Sequence, residues 1–502
     1  MTTQVILNKF DGGHAEDLRT TNTDECEKSL NFDLFTNPHK LIPYGDSIAE
    51  TITGATMDDI EIDSVDIELL GSNYNFVGTG YESGASNKLN FLTKSSLVDV
   101  SGATPWVSDA ISGGASYVKG SLVVYKEASY ALIYNGSGTY TLYKHASSGT
   151  ASSIGNISTS SGFYSRPFVH PEDNILYIVI GNTIAKYDGT TFSTHTTILP
   201  SGFDTVSVTD YGSYLAIFMR PTRGTGNSVV YLWGRDTTLN TLQGVIDFGE
   251  GEALIIENLD NNLIAIMASR NTFNTNLSRK LFVKGYAGGT VQTIKTLSLT
   301  SLINTTAYKA KNGGKLYFGF GNDDCVYAVG KNKEGRYIVT KDHYMNNGTT
   351  IGSAFSGVSI VGDVMWTAFT ALAGAFTLMR SKITLLGNES TTYTSTSTYR
   401  TTINPSMPIA DRYKEKQLVA VRIAYTGASS GTTVLKYAVD GGSFTTIISD
   451  TNSAGEKITE ATAESDGTPL GTGREFQFQV ESTGGSQIKE IQYVYNVITT
   501  TS

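Results

Sequence analysis

The chain has almost no cysteine, little proline and few charges. Of its 502 residues only Cys26 and Cys325 are cysteines, so neither a disulfide framework nor a CxxC metal site can be built. Both are expected to be small buried hydrophobes. No stretch approaches the roughly 20 apolar residues that a membrane-spanning helix needs. Met1 to Lys9 is polar around one short apolar run, unlike a signal peptide. The expectation is assembly in a cytoplasm, without export or membrane insertion. Charged residues make up only 17% and the net charge is -10. With no Lys/Arg-rich run to form a basic stripe, tight nucleic-acid binding is not expected. A low surface charge also suits a surface that neighbouring subunits cover.

What the chain does have is 52 Gly, 28 Tyr and 21 Phe, with abundant Ser and Thr. Short aromatic and β-branched runs between Gly, Asn, Asp and Ser are the material of strands and turns. One such run recurs. It is Tyr74-Asn-Phe-Val-Gly, Tyr130-Ala-Leu-Ile-Tyr, Ile175-Leu-Tyr-Ile-Val-Ile and Tyr214-Leu-Ala-Ile-Phe-Met, then Leu263-Ile-Ala-Ile-Met-Ala, Leu316-Tyr-Phe-Gly-Phe and Met365-Trp-Thr-Ala-Phe. The copies are spaced by roughly 39 to 56 residues, near the period of propeller blades. Further strands flank each copy, and Asp260-Asn-Asn, Asn312-Gly-Gly and Val361-Gly-Asp fall where hairpin turns need positive φ. Seven units of this kind predict an all-β chain whose central part, residues 66–395, is a β-propeller of about seven blades.

The flanks differ. Residues 1–65 hold a helix-compatible stretch, Asp24 to Leu30, and an extended Asn37-Pro-His-Lys-Leu-Ile-Pro. They read as an N-terminal arm that closes the propeller or docks on another subunit. The Ser/Thr-rich run Ser390 to Thr402 reads as a bridge. Residues 402–502 alternate with a period of two in five segments, beginning with Leu418-Val-Ala-Val-Arg-Ile-Ala-Tyr. That pattern predicts a C-terminal β-sandwich.

Catalytic constellations are hard to find. His14, His39, His145, His170, His195 and His343 are scattered, and none pairs at metal-ligand spacing. No GxSxG, HExxH or Walker-type loop occurs. Asp323-Asp324 and Asp260-Asn-Asn read as turns rather than calcium loops. A glycosidase would need paired carboxylates. Asp210, Glu250, Glu252 and Asp363 are candidates, but nothing in the sequence pairs them. The string Ser101-Gly-Ala-Thr-Pro-Trp106 lacks the Asp of a sialidase-type blade turn. No catalytic residue, metal ligand or cofactor is therefore assigned. Surface aromatics could stack on sugar, with Trp106 and Trp233 as the candidates, although alternating aromatics more commonly pack between blades.

The N-terminal strings Lys9-Phe-Asp-Gly-Gly-His-Ala-Glu-Asp-Leu-Arg19 and Ser29-Leu-Asn-Phe-Asp-Leu-Phe35 resemble the opening of tailed-bacteriophage structural proteins. The plan of arm, irregular propeller and sandwich is similar to that of phage tail proteins, including the nozzle of short-tailed phages. The resemblance implies a non-catalytic virion component of the tail (nozzle, hub or tip), in contact with other virion proteins and with copies of itself in a ring. Its position would surround or flank the DNA exit path, where an acidic surface lets DNA pass without adhering. It also implies assembly contacts at Phe10, Asp11, Gly12, Gly13, Asn31, Phe32, Asp33 and Phe35. Two other readings stand beside it: a host-attachment module binding a surface glycan, and a propeller enzyme that degrades glycans.

Overall fold

The computed structural model describes residues 2–10, 12, 26, 28–30, 32–44, 48–50, 65–70, 73–82, 88–93, 107–110, 118–134, 138–145, 152–158, 165–195, 199–222, 226–235, 242–269, 279–299, 308–319, 325–344, 353–361, 364–371, 376–383, 396–402, 407–428, 431–451 and 453–498. The chain divides into two compact units. One comprises residues 49–323 and 351–380; the other comprises 1–48, 324–350 and 381–502.

The first unit is a propeller. Five four-stranded antiparallel sheets follow one another along the chain: the first opens with Val65–Leu70, the second with Val118–Tyr125, the third with Phe168–His170, the fourth with Phe203–Tyr211 and the fifth with Glu252–Leu259. A sixth blade starts with the hairpin Tyr308–Asn312 and Lys315–Gly319, and a seventh opens with Ser353–Val361. The opening strands touch their neighbours in series, the fourth against the third and fifth, and the seventh against the sixth and the first. The second and third blades share a core of Leu132, Leu142, Leu176 and Ile178. The series closes on itself, which makes a ring of seven blades. The outer strand of the seventh blade is Ile48–Glu50, so an early strand completes the last sheet.

All seven copies of the recurring run fall on the second strand of a blade. In the second to sixth blades their near-continuous hydrophobicity has a physical cause: both faces of that strand are buried. In Tyr214–Pro221, Leu215, Ile217 and Met219 pack toward the third blade, while Ala216 and Phe218 pack toward the fifth. A strand buried on both faces loses the polar-out alternation of a half-exposed one. The turns follow the sequence too. Asp260 and Asn261 have φ of 51° and 62°, and Gly313 and Gly314 have 57° and 76°, the paired positive values of a two-residue hairpin. Gly362 and Asp363 of the third expected turn lie outside the described residues, as do Asp323 and Asp324.

The second unit holds the sandwich, and all five alternating segments are strands in it. One sheet runs Thr2–Leu7, Gln487–Val497, Lys416–Gly427, Gly455–Ala461. The other runs Cys325–Lys331, Tyr337–Tyr344, Lys28–Leu30, Ser397–Thr402, Phe476–Ser482, Thr432–Val439, Thr445–Thr451. Inward residues at alternate positions, Val421, Ile423 and Tyr425 with Ile491, Tyr493 and Tyr495, meet Phe478 and Val480 in the core.

Thr2–Leu7 of the N-terminal segment pairs in register with Gln487–Val497, from Thr2 opposite Asn496 to Leu7 opposite Ile491, while Ile48–Glu50 of the same segment takes the outer place in the seventh blade. Two expectations need correction. The stretch read as helix-compatible ends in a strand, Lys28–Leu30, held between Tyr337–Tyr344 and Ser397–Thr402. The end of the supposed bridge, Ser397–Thr402, is itself a sandwich strand, paired with Phe476–Ser482. Local propensity cannot show any of these, because each strand is fixed by a distant partner. Cys26 and Cys325 are both buried.

Candidate functional site

The opening strands of the fourth, fifth and sixth blades carry charged and hydroxyl residues toward their ends: Thr209 and Asp210, Glu257 and Asn258, Lys309 and Lys311. The four-methylene stem of Lys309 lets one ammonium serve two other blades. Its Nζ donates to Val208 O at 3.0 Å, to Ile256 O at 2.7 Å and to Glu257 Oε2 at 2.7 Å. Lys311 Nζ donates to Asn258 O at 2.6 Å and lies 3.6 Å from Glu257 Oε1. Thr209 Oγ1 donates to the same Oε1 at 3.1 Å, and Asn258 Nδ2 donates to Asp210 Oδ2 at 2.8 Å. Ser165 is bonded to the second strand of the third blade, and the next residue, Arg166, places its guanidinium 4.6 Å from the Tyr308 ring centroid of the sixth. Side chains from four blades thus converge about the axis.

This arrangement ties blades together rather than presenting reactive groups. Both oxygens of the buried Glu257 carboxylate are committed, one to Lys309 and the other to Thr209 and Lys311. A buried carboxylate needs such partners, since an isolated buried charge costs several kcal/mol. The other candidate carboxylates go separate ways. Glu252 Oε1 accepts from Arg220 Nη1 at 2.6 Å, and Asp204 lies 4.0 Å from Arg220 Nε. Burial pushes the Asp204 carboxyl up and Arg220 pulls it back. Asp210 is held by Asn258, Glu250 is the exposed last residue of a half-buried strand, and Asp363 lies outside the described residues.

The histidines do not gather. His170 is buried, with Nε2 3.2 Å from Tyr214 O and Nδ1 accepting from the Glu172 N–H at 3.3 Å. His343 is buried beside Asp342, with its ring stacked on Tyr44 at 4.0 Å. His39 is exposed, its Nδ1 2.9 Å from Asn8 O. Burial, helped by Lys186, lowers the pKa of His195. His14 and the side chain of His145 lie outside the described residues. Among the described residues no three His, Cys, Asp or Glu side chains form a metal-binding group.

Trp233 is not a surface aromatic. It is fully buried in the core between the third and fourth blades, edge-on to Tyr177 with ring centroids 6.0 Å apart. Beside it Arg235 bridges Glu172 and Asp173 and donates to Ser213 O at 2.7 Å. Burial and the Asp173 carboxylate push the Tyr177 hydroxyl pKa up. Trp106 lies outside the described residues.

The described ones among the expected assembly residues are buried within the chain. Phe10, Phe32, Asp33 and Phe35 are buried, as is Gly12. Phe10 N donates to Pro38 O at 2.8 Å, and its ring meets Tyr399 edge-on at 5.4 Å. Phe32 and Asp33 pair with Pro43 and Ile42, and Asp33 Oδ1 accepts from the backbone of Phe35 and Thr36 at 2.9 and 3.2 Å. The Phe-Asp-x-Phe string is therefore an Asx turn that locks the N-terminal segment down. Asp11, Gly13 and Asn31 lie outside the described residues.

The fold defines an all-β protein of propeller and sandwich, and comparison with known proteins adds little to that class. No protein-family model matches the chain, and no curated protein sequence matches it. Among solved structures it is similar to an exo-β-1,3-galactanase from Phanerochaete chrysosporium with galactose, at 10% identity and a TM-score of 0.31, over 88% of this chain and 100% of that one. It is also similar to Raptor from Chaetomium thermophilum, at 8% identity and a TM-score of 0.43, over 68% of this chain and 29% of that one. The galactanase is an enzyme, but neither likeness is high enough to bear on activity here.

Proposed function

We propose that the chain is a non-catalytic structural component of a phage tail, present in several copies that contact one another and other virion proteins around the DNA exit path. The observation that carries this reading is the axial network. Among the described residues, groups near the propeller axis that could act as acid, base or charge clamp bond to one another: Lys309 and Lys311 to Glu257 and backbone carbonyls, Asn258 to Asp210. A glycosidase acid needs a carboxyl available to its substrate and a second carboxylate at a fixed separation. Glu257, with both oxygens occupied, suits a structural role.

The N-terminal segment supports the same reading. The described residues of the strings that resemble phage structural proteins belong to the sandwich unit, where Phe10 and Asp33 fix the chain path. A fold that spends its early strands on completing sheets resists being pulled apart, which suits a load-bearing particle. The net charge of -10 suits a wall past which DNA slides. The glycan-binding reading loses Trp233, which is buried.

The test is quantitative mass spectrometry of purified particles made by the genome that carries the gene. A fixed, integral ratio to the portal or tail proteins is the expected result. Absence of the chain from the particles would overturn the reading.

A further inference from the structure

The sandwich sheet that begins with Thr2–Leu7 ends in two edges of different character. Among the described residues neither Thr2–Leu7 nor Gly455–Ala461 has a strand on its outer side, so each presents a row of backbone donors and acceptors. Gly455–Ala461 carries Glu456, Lys457 and Glu460 in seven residues, charges of the kind that keep an edge from pairing indiscriminately. Thr2–Leu7, with the sequence Thr-Thr-Gln-Val-Ile-Leu, carries no charge and no proline. An edge of β-branched and amide residues without that protection is suited to receive a strand.

The two edges also share one face of the sheet. Ile6 stands opposite Gln492, Gln492 opposite Arg422, and Arg422 opposite Glu460. Residues directly opposite lie on one face, and faces alternate along a strand. Thr2, Gln4 and Ile6 therefore share that face with Glu456, Ile458 and Glu460. On each edge one large hydrophobic stands out to solvent there: Ile6 is 46% exposed and Ile458 60%. The strand directions match as well. Each of the three pairings that separate the edges is antiparallel, so Thr2–Leu7 runs opposite to Gly455–Ala461. A second copy laid beside the first in the same orientation brings the two strands together as an antiparallel pair.

We propose that Thr2–Leu7 of one copy pairs with Gly455–Ala461 of the next, so that one sheet runs on from subunit to subunit. With Ile6 opposite Ile458, the register sets Gln4 against Glu460, Val5 against Thr459 and Thr3 against Ala461. The two exposed isoleucines then cover each other. Gln4 Nε2 donates to Gln492 Oε1 at 3.1 Å, and an amide has a second hydrogen, which the Glu460 carboxylate can accept. Charge selects this occupant over self-pairing. Gly455–Ala461 paired with itself about Ile458 sets Glu456 against Glu460, acid against acid. The uncharged edge sets no like charge against either. Thr2–Leu7 paired with itself would leave Ile458 of both copies in water. The contact is head-to-tail, the type that makes a ring when its rotation closes. The inference rests on the structural reading above, which calls for several copies, and gives it a contact.

The test is sedimentation velocity of the full chain over a range of concentrations, with thermal melting as a control for folding. The wild type is expected to associate beyond a dimer. Ile6→Lys and Ile458→Glu should each lower the association constant about tenfold or more at an unchanged melting temperature, because each sets a charge against an isoleucine. Combined in one chain, the two substitutions set opposite charges against each other across the contact and should restore most of the association. If Ile6→Lys does not fold, Ile458→Glu decides, at the more exposed of the two positions. A monomeric wild type overturns the proposal, whether or not it binds a different protein through this edge. So does a wild type that stops at a dimer, a single variant that associates as the wild type does, or a combined variant no better than the single ones. Particles that incorporate the Ile458→Glu chain at the wild-type copy number refute the contact and leave the virion role standing. Particles without the wild-type chain refute the virion role instead.

Discussion

Lys309 illustrates how single residues hold this propeller. Its ammonium bonds carbonyls and a carboxylate on two other blades, partners that lie 101, 53 and 52 positions away in sequence. Lys309→Met keeps the apolar stem but leaves Glu257 with only Thr209 and the more distant Lys311. The expected cost is about 3 kcal/mol, the price of breaking a buried ion pair, measured by chemical denaturation. Lys309→Arg should recover part of it. A variant as stable as the wild type would show that the network is not structural. Trp233 belongs to the same scale: Trp233→Ala is expected to lose roughly 3–5 kcal/mol by leaving a core cavity, and Trp233→Phe less. None of these partnerships was legible in the sequence. The string Tyr308-Lys-Ala-Lys offers only a hint, two lysines inside an otherwise strand-like run. Its meaning depends on which blades stand beside it.

At the level of strands, legibility follows burial. The recurring runs at Tyr130, Ile175, Tyr214, Leu263 and Leu316 could be read because both faces of their strands are buried, which leaves an apolar signature independent of any partner. Thr2–Leu7 and Lys28–Leu30 could not, because each is a short strand whose identity comes from partners hundreds of residues distant. Close packing between blades also sets residue size. At Gly319 an added Cβ would lie 2.5 Å from Phe355 Cε2, in the ring that the next blade presses against it. Gly319→Ala is expected to lower stability by about 1–3 kcal/mol and the melting temperature with it. The sandwich strands make a pH-dependent prediction. Burial, with Glu464, pushes Tyr437 up to about 12, and burial, with Asp411, pushes Tyr495 up to about 12. Burial, with Asp450, raises Tyr425 as well. A group whose folded pKa is raised binds its proton more tightly when folded. Its contribution is fully present below the ordinary tyrosine value near 10 and is lost as pH rises through the folded value. Stability should therefore fall between about pH 10 and 12, and spectrophotometric titration should show these tyrosines ionising only as the sandwich unfolds. Tyr437→Phe and Tyr495→Phe should flatten that fall. Normal titration near 10 in a folded sandwich would contradict the burial described here.

For the whole molecule, the two units use one principle: sheets are completed by strands from elsewhere in the chain. The seventh blade takes Ile48–Glu50 and the sandwich takes Thr2–Leu7. Each borrowed strand covers the strand beside it and becomes the new outer strand of its sheet. The most direct measurement of the structural account is a single-particle reconstruction of purified virions. It should place several copies of propeller and sandwich in a symmetric ring about the tail axis. Particles whose tail density contains no such ring would contradict it.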